Sequence, residues 1–567
     1  MSDREFSHPQ DNFWLGKGLV HEVPLGRHQL CKMLKFDNVP ESMSIGVNRT
    51  PGVSDDLGVA DCLDDKKTQI QAYANIAKIN QLGIKDYLLG KTSAADLHTR
   101  LAHSIGAAVI GRLYFAALEP FVEYTHIRNL FKNQHKYFEK LMLFALYLHD
   151  VGHLPYSHMV EAVFDEINWT RIKGASHRHD EVPLQQLRHE EKLGIKEAIK
   201  TCFNLSTEEE IEQAFDLTQD LIAGISGIPF LDAIINSSID ADKIDYIFRD
   251  MEYTETRARL RNTQTWLTDF LSNISLSPEG LVRLNGEAAL CALELLEERQ
   301  FLYRVLYLEP KIRAFEKIAS VIVASWLTRQ VSSNLLPTLN KKVVSDGVFQ
   351  FKPDLRKEKG DLAYLMIVDK FIRYSSHHEL MLLLDMCQEL ADDPYRDASA
   401  KEWFGELGKR LAGFREVPSS QHLIEECNEI IVEEPFYIAK GRDGQYVRMA
   451  REIARNLHID YPCGVLIDIV EFPGFLPTPK SRHFVAPNGT IVGETFLVPC
   501  EKPSEWSRNK IGRFPLHCCD FTSLEKQFAQ VLVINTMPGE VTGPYFLDLF
   551  IRRCRENGIE IEPSIWR

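Results

Sequence analysis

The chain has 567 residues, of which 44% are hydrophobic, and its formal net charge is −15 at pH 7. This length predicts two or three domains with large cores, and an acidic chain without a long Lys/Arg block disfavours nucleic acid as a partner. The 11 cysteines are irregularly spaced and form no C-x-x-C pair, which argues against a zinc ribbon or a disulfide scaffold and favours a cytoplasmic location. No signal-peptide pattern and no apolar run of membrane length are found, so no membrane association is expected.

Pattern shifts divide the chain into three predicted parts. Residues 1–70 have little periodicity and are predicted to be an arm or loop segment. From about 71 to 434, helical periodicity dominates, with one hairpin that turns at Pro278–Gly280. From 435 to 567 we expect a smaller α+β region, which makes the predicted fold mainly α. Its expected strands are GVLIDIVEF, HFVAPNGTIVGETFLV and QVLVINTM, and its expected helices are YVRMAREIARNL and YFLDLFIRRCREN.

The most informative segment is ALYLHDVGHLPYSHMVEAVFDE, which carries His149 and Asp150 side by side. An apolar helical run leads into this pair, and Gly152 and Pro155 follow it, so the pair is expected at the end of a buried helix. An imidazole and a carboxylate on adjacent residues can bind one metal ion. Because a dipeptide alone is weak evidence, the interpretation depends on finding the rest of a ligand set.

Two other segments supply the remaining ligands. Upstream, HTRLAHSIG places Arg100 and His103 three residues apart on an apolar helix pattern. Downstream, SSIDADKIDYIFRDMEY predicts a helix that carries Asp242 in its first turn. His103, His149, Asp150 and Asp242 would then form a nitrogen and oxygen ligand set with room for water. Such a site suits Mn, Fe, Zn or Mg, and the sequence does not choose among them.

The downstream helix separates into two faces when each residue advances by about 100°. The polar face carries Asp242, Lys243, Tyr246, Arg249 and Asp250, and the apolar face carries Ile244, Ile247, Phe248 and Met251. The apolar face accounts for packing, and the polar face has the groups that a phosphate ester requires. Ser237 and Ser238 are the expected caps, while Asp240 and Asp245 are interpreted as partners of the helix dipole only.

The order R-x-x-H, H-D and D-x-D-K-x-D-Y resembles the HD-domain deoxynucleoside triphosphate triphosphohydrolases, which include bacterial dGTPase-like enzymes and the SAM-and-HD-domain protein of animals. The resemblance covers about residues 71–320. INQLGIKDYLLGKTSAADLHTRLAHSIG, HDVGHLPYSHM and ERQFLYRVLYLEPKIRAFEKI match the family's elements in the family's order. It implies an HD-domain helical core that converts a dNTP into deoxynucleoside and inorganic triphosphate.

The resemblance also implies a role for individual residues. The metal ligands would be His103, His149, Asp150 and Asp242. The residues that move protons around the attacking water would be His153 and Glu161. The residues around the phosphates would be Arg100, His158, Lys243, Tyr246 and Arg299. The residues that line the deoxyribose would be Gln81, Leu82, Asp250 and Tyr307.

Several departures limit what the resemblance implies. Glu161 stands where relatives often have Asp, and Glu309 stands where a Y-x-H-P-K histidine is expected. The histidine that protonates the leaving group would be His177 or His179, and His179 is favoured because two acids follow it and a helical pattern resumes. HEVPLGRHQLCKML replaces the D-P-x-H-G element, which in relatives lies near the activating-nucleotide site, so regulation cannot be transferred directly.

The resemblance implies a dNTP substrate, a possible nucleotide effector and a homo-oligomer, a tetramer or hexamer. The C-terminal region is expected to help build this oligomer, because the strands GVLIDIVEF and QVLVINTM are apolar enough to need burial and a short terminal region offers few partners. The cellular role stays open between control of deoxynucleotide pools and antiviral defence. One alternative is another HD phosphohydrolase, either a nucleotidase or a cyclic-nucleotide phosphodiesterase, with the same metal ligands. A second is a non-catalytic nucleotide sensor, which the complete ligand set disfavours. The face formed by Lys243, Tyr246 and Asp250, together with Arg299, favours the triphosphohydrolase.

Overall fold

The computed structural model of the protein describes part of the chain, and helices dominate that part, which confirms the mainly-α prediction. The described residues are 57–64, 76, 79–83, 85, 99–166, 189–254, 263–284, 286–333, 379–394, 396, 398–416, 436–439, 445–457, 465–471, 484–485, 491–492, 528–535, 543–559 and 561–562. His177 and His179 lie outside them, as does most of the predicted arm.

The helices have the following bounds. They are α1 (Val59–Asp64), α2 (Arg100–Leu118), α3 (Arg128–Phe131), α4 (His135–Leu148), α5 (His158–Glu166), α6 (His189–Phe203), α7 (Glu208–Ala223), α8 (Pro229–Ile235), α9 (Ala241–Tyr253), α10 (Thr263–Leu271), α11 (Gly286–Leu302), α12 (Pro310–Ser333), α13 (Glu379–Ala391), α14 (Ala398–Glu416), α15 (Gln445–Asn456) and α16 (Gly543–Glu556). A 3₁₀ turn, Glu119–Tyr124, extends α2, and a π-helical turn, Tyr303–Tyr307, follows α11.

Helix α2 lies at the centre of the core and packs against both α4 and α9. Its residues from Arg100 to Gly111 are buried without interruption, so all of its faces are covered, as expected for a core helix. Contrary to the sequence-based expectation, the stretch Arg100–Tyr124 is long and apolar enough to span a membrane by length and composition. However, 67% of that stretch's most apolar window is buried inside the protein, which is how the core helix of a folded domain behaves.

Helix α9 has the two predicted faces, and all four residues of the apolar face are buried. Its cap differs from the prediction. Asp240 is the N-cap and accepts a hydrogen bond from the Lys243 amide at 2.7 Å. Ser237 instead donates its hydroxyl to the Ala233 carbonyl at 2.6 Å, because the chain makes a separate turn there that closes α8. The serine caps were therefore wrong.

The predicted hairpin is present as β1 (Ile274–Leu276) and β2 (Val282–Leu284), which pair antiparallel. Gly280 in its turn has φ 81°, a value that glycine adopts without strain. Strand β2 also pairs in parallel with β5 (Phe484–Val485), which in turn pairs with β6 (Ile491–Val492). A strand pair from the C-terminal part of the chain thus extends a sheet of the helical part.

The two predicted C-terminal helices and the predicted strands GVLIDIVEF and QVLVINTM are confirmed. In HFVAPNGTIVGETFLV the structure describes only the short strands β5 and β6, and the rest of that prediction lies outside the described residues. A second sheet has the order β4-β7-β3-β8, and its strands are β3 (Phe436–Ala439), β4 (Val465–Glu471), β7 (Phe528–Asn535) and β8 (Ile561–Glu562). Leu466, Leu532 and Ile534 of this sheet are fully buried in the same apolar cluster as the helical core. Asp468 of β4 accepts two hydrogen bonds from Arg313 of α12, both at 3.0 Å. The C-terminal strands therefore pack on the helical core, and the predicted boundaries at 70 and 434 stay predictions.

Candidate metal centre

The ends of three helices bring the four predicted metal ligands together. His103 lies in the first turn of α2, His149 and Asp150 follow the last residue of α4, and Asp242 lies in the first turn of α9. His103, His149 and Asp150 each offer a ligand atom, and these atoms lie within 4.8 Å of one another. The carboxylate of Asp242 is 2.9 Å from His103 Nε2 and 3.7 Å from His149 Nε2. The prediction that the His–Asp pair ends a buried helix is confirmed.

The two histidines are turned so that their Nε2 atoms face each other at 3.3 Å. His103 Nδ1 lies 2.8 Å from Asp245 Oδ2, and His149 Nδ1 lies 2.6 Å from the carbonyl oxygen of Leu146. An Nδ1–H that donates to such an acceptor leaves the lone pair of Nε2 available as a ligand. The Nδ1 contacts therefore orient both rings for metal binding through Nε2.

Asp245 was interpreted from sequence as a dipole partner only, and this was wrong. Its buried carboxylate accepts from His103 and also from the Arg249 guanidinium, at 2.8 and 2.7 Å. A signal for this role was available, because Asp245 and Arg249 are four residues apart on one helix face. What the sequence could not show is that α2 lies against that face.

Gly106 permits this arrangement, one turn after His103 on α2. A Cβ atom at this position would overlap the Asp245 carboxylate and the Arg249 guanidinium. Only glycine leaves space for the two charged groups to reach the helix surface. The site thus depends on a residue that has no functional group.

The charges of the site favour a cation at its centre. Burial lowers the pKa of His103, but hydrogen bonds to Asp242 and Asp245 and the charge of Asp150 raise it from 6.5 to about 10. Burial opposes ionisation of Asp150 as well, yet Arg100 and the neighbouring imidazoles hold its pKa well below 3.8. Three carboxylates lie around the His103 ring and arginines pair with only two of them, Asp150 and Asp245, so the site favours further positive charge, either a proton or a metal ion.

The donor set fits a divalent metal ion. Distances of 2.9, 3.3 and 3.5 Å separate neighbouring donor atoms, and ligands about 2.1 Å from one ion are separated by similar distances. Two imidazoles and two carboxylates bind Mn, Fe or Zn, and the oxygens also suit Mg. His103, His149, Asp150 and Asp242 would hold the ion, and the site does not distinguish among these metals.

The residues predicted to move protons lie on one side of the cluster. His153 is buried, and its Nε2 is 3.3 Å from Asp150 Oδ1. The rings of His153 and His158 meet edge to face at 5.2 Å, and His158 Nδ1 is 3.2 Å from Glu161 Oε2. The side chain of His158 is 68% exposed, so this group opens toward solvent.

Arg100 was predicted to surround the phosphates, and the structure shows what it contacts in the protein. Its Nη1 donates to Asp150 Oδ2 at 2.7 Å, and its Nε donates to Ser157 Oγ at 3.2 Å. The residue is only 4% exposed. Arg100 thus supports a metal ligand, and contact with a phosphate stays a prediction.

A second polar cluster lies further along α9 and continues into α11 and the π-helical turn. Arg299 Nε donates to the Tyr246 hydroxyl at 3.2 Å, and the guanidinium lies 5.0 Å from the Tyr303 ring centroid. The Tyr307 hydroxyl donates to Asp250 Oδ2 at 2.5 Å. Burial and the charge of Asp250 raise the pKa of Tyr307 well above 10, so this phenol stays a donor. In this region the predicted phosphate residues Arg299 and Tyr246 thus contact each other, and so do the predicted sugar residues Tyr307 and Asp250.

Two further predicted residues, Lys243 and Gln81, lie in the first turn of α9 and in the turn at residues 79–83. Lys243 Nζ pairs with the cap residue Asp240 at 2.7 Å. Gln81 lies in a short turn beside the start of α2, where Asn80 bridges to Thr99. Its Oε1 is buried and has no hydrogen-bond partner among the described residues, and the neighbouring Leu82 is 4% exposed.

Glu309 stands where the family pattern expects histidine, and the structure gives it a local function. Its carboxylate accepts from the backbone amides of Lys311 and Ile312, at 2.7 and 3.0 Å. These amides begin α12 and would otherwise lack acceptors. Glu309 therefore stabilises the start of the helix that follows the Tyr303–Tyr307 turn.

Comparison with models of protein families gives no match. The uncharacterized protein MG461 homolog of Mycoplasma pneumoniae is 28% identical over 199 residues, which are 35% of this chain and 40% of that protein. The uncharacterized protein MJ1154 of Methanocaldococcus jannaschii is 24% identical over 261 residues, 44% of each chain. The aligned part is thus less than half the length of these relatives.

Two solved structures give the same TM-score of 0.47 at 16% identity over 86% of this chain. One is a phosphohydrolase from Bacteroides thetaiotaomicron, of which 98% is covered, and the other is a hypothetical protein from Aquifex aeolicus, of which 94% is covered. Neither likeness is close enough to decide an activity.

Proposed function

We propose that the protein is a metal-dependent phosphohydrolase that cleaves a dNTP into deoxynucleoside and inorganic triphosphate. One observation carries this proposal: a continuous polar stripe along α9 joins the metal cluster to the tyrosine and arginine cluster. Asp242, Tyr246 and Asp250 lie one turn apart on the same face. The stripe is about 12 Å long at 1.5 Å per residue, which is long enough to run beside a phosphate chain and a sugar.

The chemistry along the stripe changes in a way that suits such a substrate. At one end four ligands would hold a divalent ion, which as a Lewis acid would polarise a phosphoryl oxygen and lower the pKa of a bound water. In the middle, Lys243 and Arg299 supply the positive charge that a triphosphate requires. At the far end, Asp250 and the Tyr307 ring offer an acceptor and an apolar face to deoxyribose. The choice of the α-phosphorus comes from the family resemblance alone.

The protein's own groups would handle the protons. His153 is buried beside Asp150, and Glu161 contacts His158 on the side that opens to solvent. We assign His153 and Glu161 to hold and relay the proton of the attacking water. The donor to the leaving 5′-oxygen would be His179, on the family resemblance.

The test is incubation of the metal-loaded protein with each dNTP, singly and in pairs, followed by chromatography of the products. Intact triphosphate and unphosphorylated deoxynucleoside are expected, with rNTPs as poor substrates. Release of pyrophosphate or monophosphate would instead support the nucleotidase or phosphodiesterase alternative. Tight nucleotide binding without any product would support the sensor.

We also propose that the active form is a homo-oligomer in the cytoplasm, regulated by a nucleotide. This proposal rests mainly on the family resemblance. The strands GVLIDIVEF and QVLVINTM were expected to need a partner from another subunit, but they pair with each other within the chain. Among the described strands, β4 remains at a sheet edge, and such an edge can pair with another copy. Light scattering with and without nucleotides tests this: a fully active monomer would refute it.

A further inference from the structure

Between the His149–Asp150 pair and α5 the chain makes a turn with unusual backbone angles. Tyr156 has φ 68° and Ser157 has φ 50°, in the left-handed region that residues with side chains rarely adopt. Two such residues in a row persist only where the surroundings hold them in place. The turn therefore requires support from another part of the fold.

Glu379, the first residue of α13, gives that support. Its Oε1 accepts from the Tyr156 amide at 2.9 Å, and its carbonyl oxygen accepts from the Tyr156 hydroxyl at 2.7 Å. The residue is 1% exposed, and 223 positions separate it from Tyr156. Burial raises the pKa of Glu379 from 4.5 to about 7, against the hydrogen bond from Tyr156 and the charges of Arg100 and Lys85.

The Tyr156–Ser157 turn also fixes the position of the metal ligand Asp150. Ser157 Oγ accepts from Arg100 Nε at 3.2 Å, and Arg100 Nη1 donates to Asp150 Oδ2 at 2.7 Å. All three residues are at most 5% exposed. Because a guanidinium is planar, the position of one of its donors limits the positions of the others. The place of Ser157 therefore constrains the carboxylate of Asp150.

We propose that Glu379 is a positioning residue of the metal centre, which acts through the Tyr156–Ser157 turn and Arg100 on the orientation of Asp150. The inference rests on the proposed metal centre and extends it to a helix that carries none of the ligands. Glu379 touches neither the ligands nor the substrate face of α9 in the hydrogen bonds of the described residues. Its effect is to keep Asp150 Oδ1 directed at the cluster.

The experiment is a metal titration of the full-length apoprotein, with Mn²⁺ and separately Zn²⁺, which measures binding without any activity assay. Glu379→Ala should weaken metal binding about tenfold, the lower end of the effect of groups that orient metal ligands. Glu379→Gln should bind like the wild type, since its amide oxygen can still accept from Tyr156. Ser157→Ala should reproduce the Glu379→Ala loss, and the double variant should be no worse than either single variant, because both act in one series.

A control on the same helix separates positioning from general destabilisation. Glu389 of α13 accepts from Trp326 Nε1 at 2.6 Å and pairs with Arg329 at 3.7 Å, away from the turn. Glu389→Ala should lower the unfolding temperature but leave metal affinity unchanged. If Glu379→Ala behaves in the same way, or if the two losses in the double variant add, the positioning role is overturned. If wild type binds metal no better than Asp150→Asn, the metal centre fails and the inference with it.

Discussion

The two ends of the polar stripe on α9 satisfy their polar groups in opposite ways. At the metal end, Nε2 atoms of two histidines face each other at 3.3 Å and carboxylates converge on them, so the groups need a cation between them. Beyond the metal end, polar groups have partners within the protein: Arg299 Nε donates to the Tyr246 hydroxyl in the middle of the stripe, and the Tyr307 hydroxyl donates to Asp250 at the far end. A change at the first end should alter metal binding and turnover, and a change at the second should alter only how well substrate binds.

The largest expected effect follows from Asp150→Asn at the metal end. The amide keeps an oxygen for Arg100 but is a poor metal ligand, so bound metal should be lost and hydrolysis should fall roughly 10³-fold or more. Asp150→Ala and His149→Ala should also lose both, but Asp150→Ala leaves the buried Arg100 unpaired, which costs about 3–5 kcal/mol of stability. Metal analysis and turnover measure the effect. Asp216→Asn is the control, because Asp216 is an exposed residue of α7. Full metal occupancy in Asp150→Asn would rule out the ligand assignment.

The metal end also shows how far sequence reasoning reaches. His103, His149, Asp150 and Asp242 could be predicted because short motifs fix their spacing along the chain and their chemistry is specific. Asp245 and Glu379 could not be assigned, since their roles depend on contacts 142 and 223 residues away along the chain. Such contacts depend on how helices pack, and no local pattern encodes them.

The second end and the helix caps show the same limit on a smaller scale. The predicted faces of α9 were confirmed because helical periodicity alone determines them. The predicted N-cap of α9 lies two to three residues too early in the chain. Ser237, Ser238 and Asp240 are all good capping residues, and only the preceding turn selects Asp240. The π-helical turn at Tyr303–Tyr307 has no distinct sequence signal at all.

The next effect concerns pH and tests the support of the metal end from α13. The folded protein raises the pKa of Glu379 from 4.5 to about 7. An acid whose pKa is raised by folding contributes stability that is fully present below pH 4.5 and is lost as the pH rises through 7. Relative to Glu379→Gln, the free energy of unfolding of the wild type should therefore fall by up to about 3 kcal/mol as the pH rises from 4.5 to 7.

Urea unfolding of the apoprotein at pH 5 and pH 8 measures this difference directly. Using Glu379→Gln as the reference cancels the titration of all other groups that the two proteins share. An equal free-energy difference between the two proteins at both pH values would show that Glu379 does not titrate with a raised pKa.

A smaller loss of stability and metal affinity is expected from Gly106→Ala, which disturbs the metal end of the stripe without removing any functional group. The new Cβ would displace Asp245 and Arg249, so His103 would lose its orientation. Overpacking of this kind costs about 1–3 kcal/mol, and metal affinity should fall with it. Gly405→Ala is a matched control, because its Cβ would lie 4.0 Å from the nearest atom, the Ala391 Cβ, and the helix should gain stability. Unchanged metal affinity in Gly106→Ala would mean that Asp245 does not orient His103.

The smallest effect is expected from Tyr307→Phe at the second end of the stripe. The change removes the hydroxyl that donates to Asp250 at 2.5 Å but keeps the ring, so the carboxylate loses one partner at a cost of about 1–3 kcal/mol. KM for a dNTP should rise about 5- to 10-fold, while metal content stays at the wild-type level because the metal ligands are untouched. Tyr303→Phe is the control, since it keeps the ring over which the Arg299 guanidinium lies. If Tyr307→Phe instead loses metal, the two ends are not independent, and the stripe on α9 acts as a single unit.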